Sequence, residues 1–174
     1  MQKHMPSGLD LQRLYDEHAQ VLFAFLLNIT RDEHDTRDVL QDIFIKLARQ
    51  PALLSGARDV RAFLLRLAHN TYLDLVRRRG TRSKYHEQFG AEQLAVFAPD
   101  DNPDESAFRE ALSGVLGELP VEQRAVVHLK LWENFTFEQI AEALDIPPNT
   151  AASRYRYGLD KLRARLRPLY NEIK

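Results

Sequence analysis

The sequence has no cysteine and few glycines, and both shortages exclude classes of protein. Without cysteine among the 174 residues there are no disulfides, thiolate metal sites or cysteine nucleophiles. The seven glycines form no GxGxxG, GxxxxGK[ST] or GxSxG motif, so phosphate-binding loops and nucleophile elbows have no candidate segment. No apolar run approaches the roughly 18 residues that span a bilayer. Met1 to Gly8 lacks the apolar core of a signal peptide, so we expect a soluble, cytoplasmic chain without membrane insertion.

A large net charge is also missing, but the value of −1 conceals an uneven distribution. Residues 58–84 carry eight basic and two acidic side chains, and residues 147–174 carry seven basic and two acidic. Between them, residues 86–118 carry eight acidic side chains and one basic. Because contact with a polyanion depends on local positive charge, the two basic blocks are compatible with nucleic-acid binding.

Apolar residues recur at helical spacing in the first half of the chain. The stripes run from Leu11 to Leu26, from Val39 to Leu47 and from Leu64 to Leu75, and Asp32 lies at an N-cap position before the second stripe. Three helices with a common core are therefore predicted. Tyr15 belongs to the first stripe.

The fold class predicted from the whole chain is all-α, with two small helical domains joined by an acidic flexible linker. The domains are residues 9–82 and 107–170. The linker is residues 83–106, where prolines stand among acids and too little apolar surface is present to offset the entropy of ordering. No strand pattern competes with the helical one.

A helix-turn-helix is predicted near the C-terminus. Thr136 and Gln139 form a capping box, the helix ends near Leu144, and a tight turn leads to a second helix from about Pro148. Gly158 in that helix indicates a close packing contact. An ordinary helical hairpin with a solvated basic face is the alternative.

The segment from Arg58 to Arg79 interleaves basic and aromatic residues. Single-stranded DNA binding needs cations for the backbone and flat groups for unstacked bases, and this segment offers both. The alternative is a solvated helix face with Phe63 and Tyr72 in the core.

Asp38 and Asp42 lie four residues apart, which suits a metal pair, a catalytic pair or a docking face. No histidine lies at metal spacing from them and no pocket is indicated, so we favour docking.

These segments resemble the sigma-70 family, specifically its extracytoplasmic-function group. DVLQDIFIKL (38–47) resembles the family's DLVQETFLRL, VRAFLLRLAHN (60–70) resembles RAWLFRIARN, LDLVRRR (73–79) resembles LDLLRRR, LPVEQRAVV (119–127) resembles LPxxxRxVxxL, and residues 136–162 resemble its helix-turn-helix. The matches cover most of the chain in the family's order, so they are more specific together than any one is alone.

The resemblance implies a function and its sites: core RNA polymerase and promoter DNA as partners, an anti-sigma factor as inhibitor, and no enzymatic activity, cofactor or metal. The implied polymerase-binding residues are Asp38, Gln41, Asp42, Phe44 and Ile45. Those implied for recognition and melting of the −10 element are Arg58, Arg61, Phe63, Arg66, His69, Asn70, Asp74, Arg77 and Arg78. Those implied for −35 readout are Asn149, Thr150, Ala152, Ser153, Arg154, Arg156 and Tyr157.

Further details come from the same resemblance. Asn70 would help to hold a flipped base, residues 51–58 would lie near that base, and the linker would run toward the RNA exit channel. Ala152, Tyr157 and Leu159 stand where basic residues are common in the family, so no −35 sequence is inferred. Asp145 replaces a turn glycine, and aspartate tolerates the left-handed conformation.

Two other functions remain open at this point. A stand-alone helix-turn-helix regulator would explain the second half of the chain but not the basic-aromatic segment or the Asp38 face; a stable dimer and a palindromic operator would support it. A helical enzyme or adaptor is the second alternative. The six histidines form no HExxH motif, and this reading ranks last.

Overall fold

The computed structural model describes residues 9–80 and 103–172, and these residues form helices without any strand. The helices are α1 (Leu11–Thr30), α2 (Glu33–Arg49), a short 3₁₀ helix (Pro51–Leu54), α3 (Val60–Arg79), α4 (Pro103–Glu118), α5 (Val121–Leu131), α6 (Phe137–Leu144) and α7 (Pro148–Glu172). The all-α prediction is confirmed. Within the described residues, no helix combines the length and the apolar character needed to cross a membrane.

Aspartate side chains cap the N-termini of α1, α2 and α3. Asp10 accepts a hydrogen bond from the backbone N–H of Arg13 (3.0 Å), and Asp32 accepts one from Asp35 (2.7 Å). The backbone N–H of Ala62 donates to Asp59 in the same way. Each carboxylate satisfies a donor that the first turn leaves free, and its negative charge suits the positive end of the helix.

Helices α1, α2 and α3 bury a common core, as their apolar stripes predict. Side chains with no exposed surface come from all three helices: Phe25, Leu26, Ile43, Leu47 and Leu64. Tyr15 is an exception, since 48 % of it is exposed.

Helix α4 begins at Pro103, within the stretch predicted as linker and before the predicted domain boundary at residue 107. Proline suits the first position of a helix because its missing N–H has no partner there. Residues 103–106, which the sequence assigned to the linker, are therefore part of a helix. The other linker residues, 83–102, and the N-terminal residues 1–8 lie outside the described residues.

The helix-turn-helix forms as predicted from its sequence. Thr136 and Gln139 exchange both capping-box hydrogen bonds, at 3.1 and 2.8 Å. Asp145 ends α6 in the left-handed conformation (φ 54°, ψ 53°), which this residue type tolerates. Ile146 then donates its N–H to the carbonyl of Ala141 and packs against the core.

The C-terminal half packs directly on the N-terminal half, an arrangement that the sequence left open. Helix α1 packs against α5 and α3 packs against α6. One apolar cluster runs through both halves and contains Phe25 and Ile43 as well as Leu129, Phe135 and Ile140. The structure is therefore a closed form in which the two halves share a core.

Candidate nucleic-acid and protein interfaces

A shallow groove between α1 and α2 contains most of the predicted docking residues. Its lining residues, called here the docking groove, are Tyr15, Phe23, Arg37, Leu40, Gln41, Phe44, Ile45 and Ala48. The rings of Tyr15 and Phe44 are 5.0 Å apart between centroids, and 41 % of Ile45 is exposed. From the sequence, Phe23 had no assigned role and Tyr15 was placed in the core stripe of α1, so neither residue was predicted as part of this groove.

The carboxylates of α2 border this groove. Asp42 is exposed and Asp38 is partly exposed, so both can meet a basic partner. Asp42 and Ile45 also line a polar depression between α2 and α3, together with Asp74 and Arg78. The predicted docking residues and part of the predicted −10 residues therefore lie on adjoining surfaces.

The statement that no histidine lies at metal spacing from Asp38 was wrong. His34 is one helical turn away, and its Nδ1 lies 3.3 Å from Asp38 Oδ2. His34 also approaches Asp32 and Asp35, whose ligand atoms all lie within 4.8 Å of one another. Asp32 and His34 are exposed. Asp32 caps α2, and Asp35 accepts a hydrogen bond of 2.6 Å from Arg79. The cluster is thus accounted for by capping and ion pairing.

Much of the basic face of α3 and of the preceding loop is open to solvent. The exposed members of the predicted −10 set are Arg58, Arg61, Arg66, Asn70, Asp74, Arg77 and Arg78. Arg77 lies 3.5 Å from Asp74, which is a weak surface pair. Arg79 is held differently: its hydrogen bond to Asp35 raises the pKa of the guanidinium and fixes the end of α3 on the start of α2.

Three predicted −10 residues are engaged within the protein itself. Arg61 donates to the carbonyl of Glu133 (3.0 Å), pairs with its carboxylate (3.3 Å) and stacks over the Phe135 ring. Phe63 is partly buried against the shared core. His69 is buried, and burial first, with the charge of Arg154 second, lowers its pKa. The nearby Glu122 acts in the opposite direction.

The recognition helix α7 presents a mixed face. Asn149, Arg156 and Tyr157 are exposed, and the Arg156 guanidinium stacks over the Tyr157 ring at 5.3 Å. The remaining members of the predicted −35 set are partly buried: Thr150, Ala152, Ser153 and Arg154. Ala151 and Leu162 lie on the buried side of α7, as predicted, whereas Ser153 and Arg154, predicted to be exposed, are partly buried.

Each half of the chain matches a known protein-family model. Residues 14–82 match the family model of sigma-70 region 2, and residues 109–162 match that of sigma-70 region 4. The ECF RNA polymerase sigma factor SigL of Mycobacterium tuberculosis is 31 % identical over 91 % of this chain and 90 % of its own. The chain belongs to the extracytoplasmic-function group of the sigma-70 family. It is a transcription factor that directs promoter-specific initiation.

Two further similar proteins are also sigma factors. SigX of Bacillus subtilis is 26 % identical over 93 % of this chain and 86 % of its own. A solved structure of the sigma factor RpoE in complex with the anti-sigma factor NepR, from Bartonella quintana, superposes with a TM-score of 0.76. It covers 92 % of this chain and 98 % of that one, and its 19 % identity makes it a match in fold.

Proposed function

We propose that this sigma factor divides its work among three surfaces. The docking groove and the α2 carboxylates bind core RNA polymerase, α3 with the loop before it recognises and opens the −10 element, and α7 reads the −35 element. The observation that carries the proposal is the helix-turn-helix of α6 and α7, which leaves Asn149, Arg156 and Tyr157 facing solvent within the first three turns of the second helix. That is the part of a recognition helix that enters the major groove.

The docking groove supports the polymerase contact on physical grounds. A groove with aromatic walls can bury apolar side chains of a partner helix, and such burial supplies most of the free energy of association. The acids beside it, Asp38 and Asp42, would add attraction to a basic partner surface and set its orientation.

Single-strand recognition is supported by the exposed part of α3. Arg66, Asn70, Arg77 and Arg78 follow one another along about three turns of a single helix, so a phosphate backbone could run along them. Asn70 carries both a donor and an acceptor, which suits hydrogen bonding to the edge of an unstacked base.

The proposed −35 readout rests on the side-chain chemistry of the first three turns of α7. Arginine can contact guanine bidentately in the major groove, and asparagine can do the same with adenine. Arg163, Arg165 and Arg167 are exposed further along the helix, where phosphate contacts would position it.

Regulation by an anti-sigma factor is part of the proposal. The sigma factor RpoE of Bartonella quintana was solved in complex with the anti-sigma factor NepR, and its fold matches this one along nearly the whole chain. We expect an anti-sigma factor to bind this chain as well. We also place the protein in the cytoplasm, where core polymerase acts.

Run-off transcription on fragments of the source genome, with purified core polymerase and with or without this protein, tests the proposal. Discrete transcripts that require the protein, and that share two upstream elements, are the expected result. The Arg154→Ala/Arg156→Ala variant should lose these transcripts by about tenfold or more, since each good base contact contributes roughly 1–3 kcal/mol. The Arg13→Ala variant, which removes an exposed arginine from α1, is the control. If no transcript depends on the protein, the proposal fails and a stand-alone regulator takes its place.

A further inference from the structure

Tyr157 is the exposed aromatic side chain in the first three turns of α7. Its exposed fraction is 55 %, the largest among the large hydrophobic residues that the structure describes. Tyr155, two residues earlier, meets the ring of Phe137 edge-on and packs against the apolar core. The two tyrosines therefore face opposite ways, and the ring of Tyr157 is free to act on neighbours at the surface.

The neighbour that this ring contacts is Arg156. The guanidinium carbon of Arg156 lies 5.3 Å from the centre of the Tyr157 ring, within the range of a cation–π contact. Such a contact uses the flat face of the guanidinium and leaves the N–H donors along its edge free. Arg156 therefore keeps the pair of donors that a bidentate contact with guanine requires.

Two other arginines of α7 are engaged within the protein. Arg154 is partly buried and lies near His69 of α3. Arg165, further along the helix, pairs with Glu118 at 3.1 Å. Among the described residues Arg156 has no ion-pair partner, so its charge is available to DNA.

Asp160 is the residue that would compete for Arg156. The two lie four residues apart on the helix, a spacing at which an arginine and a carboxylate commonly pair, and both are exposed. They form no ion pair in the part of the chain that the structure describes, and the guanidinium lies over the tyrosine ring instead. An exposed cation–π contact and an exposed ion pair are similar in free energy, so the ring can decide which partner the arginine takes.

Arg156 and Tyr157 lie on the same side of α7 as Asn149, about two helical turns after it, and all three are exposed. An arginine paired with Asp160 would be drawn one turn further along the helix, away from Asn149. An arginine that the ring already holds stays beside Asn149 and loses less conformational freedom when it binds.

We propose that Arg156 and Tyr157 form one specificity unit, in which Tyr157 is a positioning residue that holds the Arg156 guanidinium toward the major groove and away from Asp160. The unit selects guanine at one position of the −35 element. The aromatic ring of Tyr157 carries this role and the phenolic hydroxyl does not. The inference rests on the proposed −35 role of α7 and adds the base that is read and the residue pair that reads it.

Transcription from a promoter library tests the unit in the holoenzyme. Core polymerase with this protein transcribes templates whose −35 element is randomised, and transcript counts give the preference for each base at each position. The wild-type protein should favour guanine at one position, and Arg156→Ala should lose that preference. Tyr157→Ala should lower it by about two- to fivefold, the contribution of an exposed cation–π contact, whereas Tyr157→Phe should retain it.

Asp160→Asn separates positioning from direct contact. In the Tyr157→Ala background it removes the competing carboxylate, so it should restore the guanine preference; if it does not, the ring itself touches the DNA and the positioning role is wrong. Lys161→Ala removes an exposed cation next to Asp160 and is the control, since it should affect all templates alike. An unchanged preference in Tyr157→Ala, or an equal loss in Tyr157→Phe, would overturn the inference.

Nuclear magnetic resonance of the free protein gives a readout that needs no promoter. A proton above an aromatic ring resonates upfield, so the Nε–H signal of Arg156 should lie upfield in the wild-type protein and in Tyr157→Phe. In Tyr157→Ala it should return toward its ordinary position, and an identical signal in this variant and the wild-type protein would overturn the stack. If no transcript depends on the protein, the proposed function fails, whereas this signal still decides whether Tyr157 holds Arg156.

Discussion

Gly158 lies where α7 crosses α5, and the crossing leaves no room for a methyl group. A Cβ at this position would lie 2.7 Å from Cγ2 of Val127, which is fully buried and has a stiff β-branched side chain. The sequence indicated a close contact at this glycine, because a glycine inside a helix otherwise costs about 1 kcal/mol relative to alanine. The identity of the neighbour could come only from the structure.

Gly158→Ala should therefore destabilise the protein by about 1–2 kcal/mol, since overpacking costs roughly 1–3 kcal/mol and the gain in helix propensity offsets part of it. Gly114→Ala in α4 is the matched control: no atom lies within 4 Å of its added Cβ, so it should stabilise the helix by up to about 1 kcal/mol. Urea denaturation measures both. Equal effects of the two substitutions would contradict the close crossing.

His69 makes the free energy of unfolding depend on pH, and the sign of this dependence follows from its lowered pKa. Burial, and then Arg154, disfavour the protonated imidazole in the folded protein, whereas the unfolded chain has the ordinary pKa near 6.5. The unfolded state therefore takes up a proton first as the pH falls. The stabilisation is complete above about pH 6.5 and is lost as the pH falls from there through the lowered folded pKa.

His69→Gln removes this titration, so its free energy of unfolding should fall less steeply between pH 7 and pH 5 than that of the wild-type protein. Chemical denaturation at a series of pH values gives the two slopes. His34→Gln removes an imidazole whose side chain is 81 % exposed and serves as the control. Identical slopes for the wild-type protein and His69→Gln would show that His69 does not contribute.

At the level of elements, periodicity and caps predicted the helices well. The buried stripes of α1, α2 and α3 and the capping box of α6 follow from local sequence rules, which act over four or five residues. Tyr15 was wrongly assigned to the core, because apolar spacing shows which side of a helix faces inward but not how much of that side the neighbouring helices cover. Its ring completes the docking groove, which was predicted from α2 alone.

Asp42→Arg tests whether the face of α2 beside the docking groove binds core polymerase. The side chain is exposed, so the substitution should leave the fold intact while placing a cation where a basic partner is proposed. Affinity for core polymerase should fall on the order of tenfold, mainly through slower association at low salt. Glu142→Arg makes the same charge change on α6 and should bind normally in the same titration. Unchanged affinity for Asp42→Arg would remove this face from the docking model.

For the whole molecule, the sequence predicted two helical domains but not that they share a core. The residues that join them, Asn28, His128 and Glu133, are polar types that normally lie at the surface, so no hydrophobic pattern identifies them. The same closure explains why Arg61, predicted as a DNA contact, is engaged with Glu133 of the C-terminal half. A contact between elements distant in sequence leaves no periodic signal in either.

The central claim is that one chain reads two separated promoter elements through its two halves, and only with polymerase. Footprinting of a promoter identified by run-off transcription measures this directly. With polymerase, the protein should protect two segments centred about 25 base pairs apart and make thymines of the downstream one reactive to permanganate; Arg154→Ala/Arg156→Ala should weaken the upstream protection alone. Protection of a single palindromic segment by the protein without polymerase would contradict the claim.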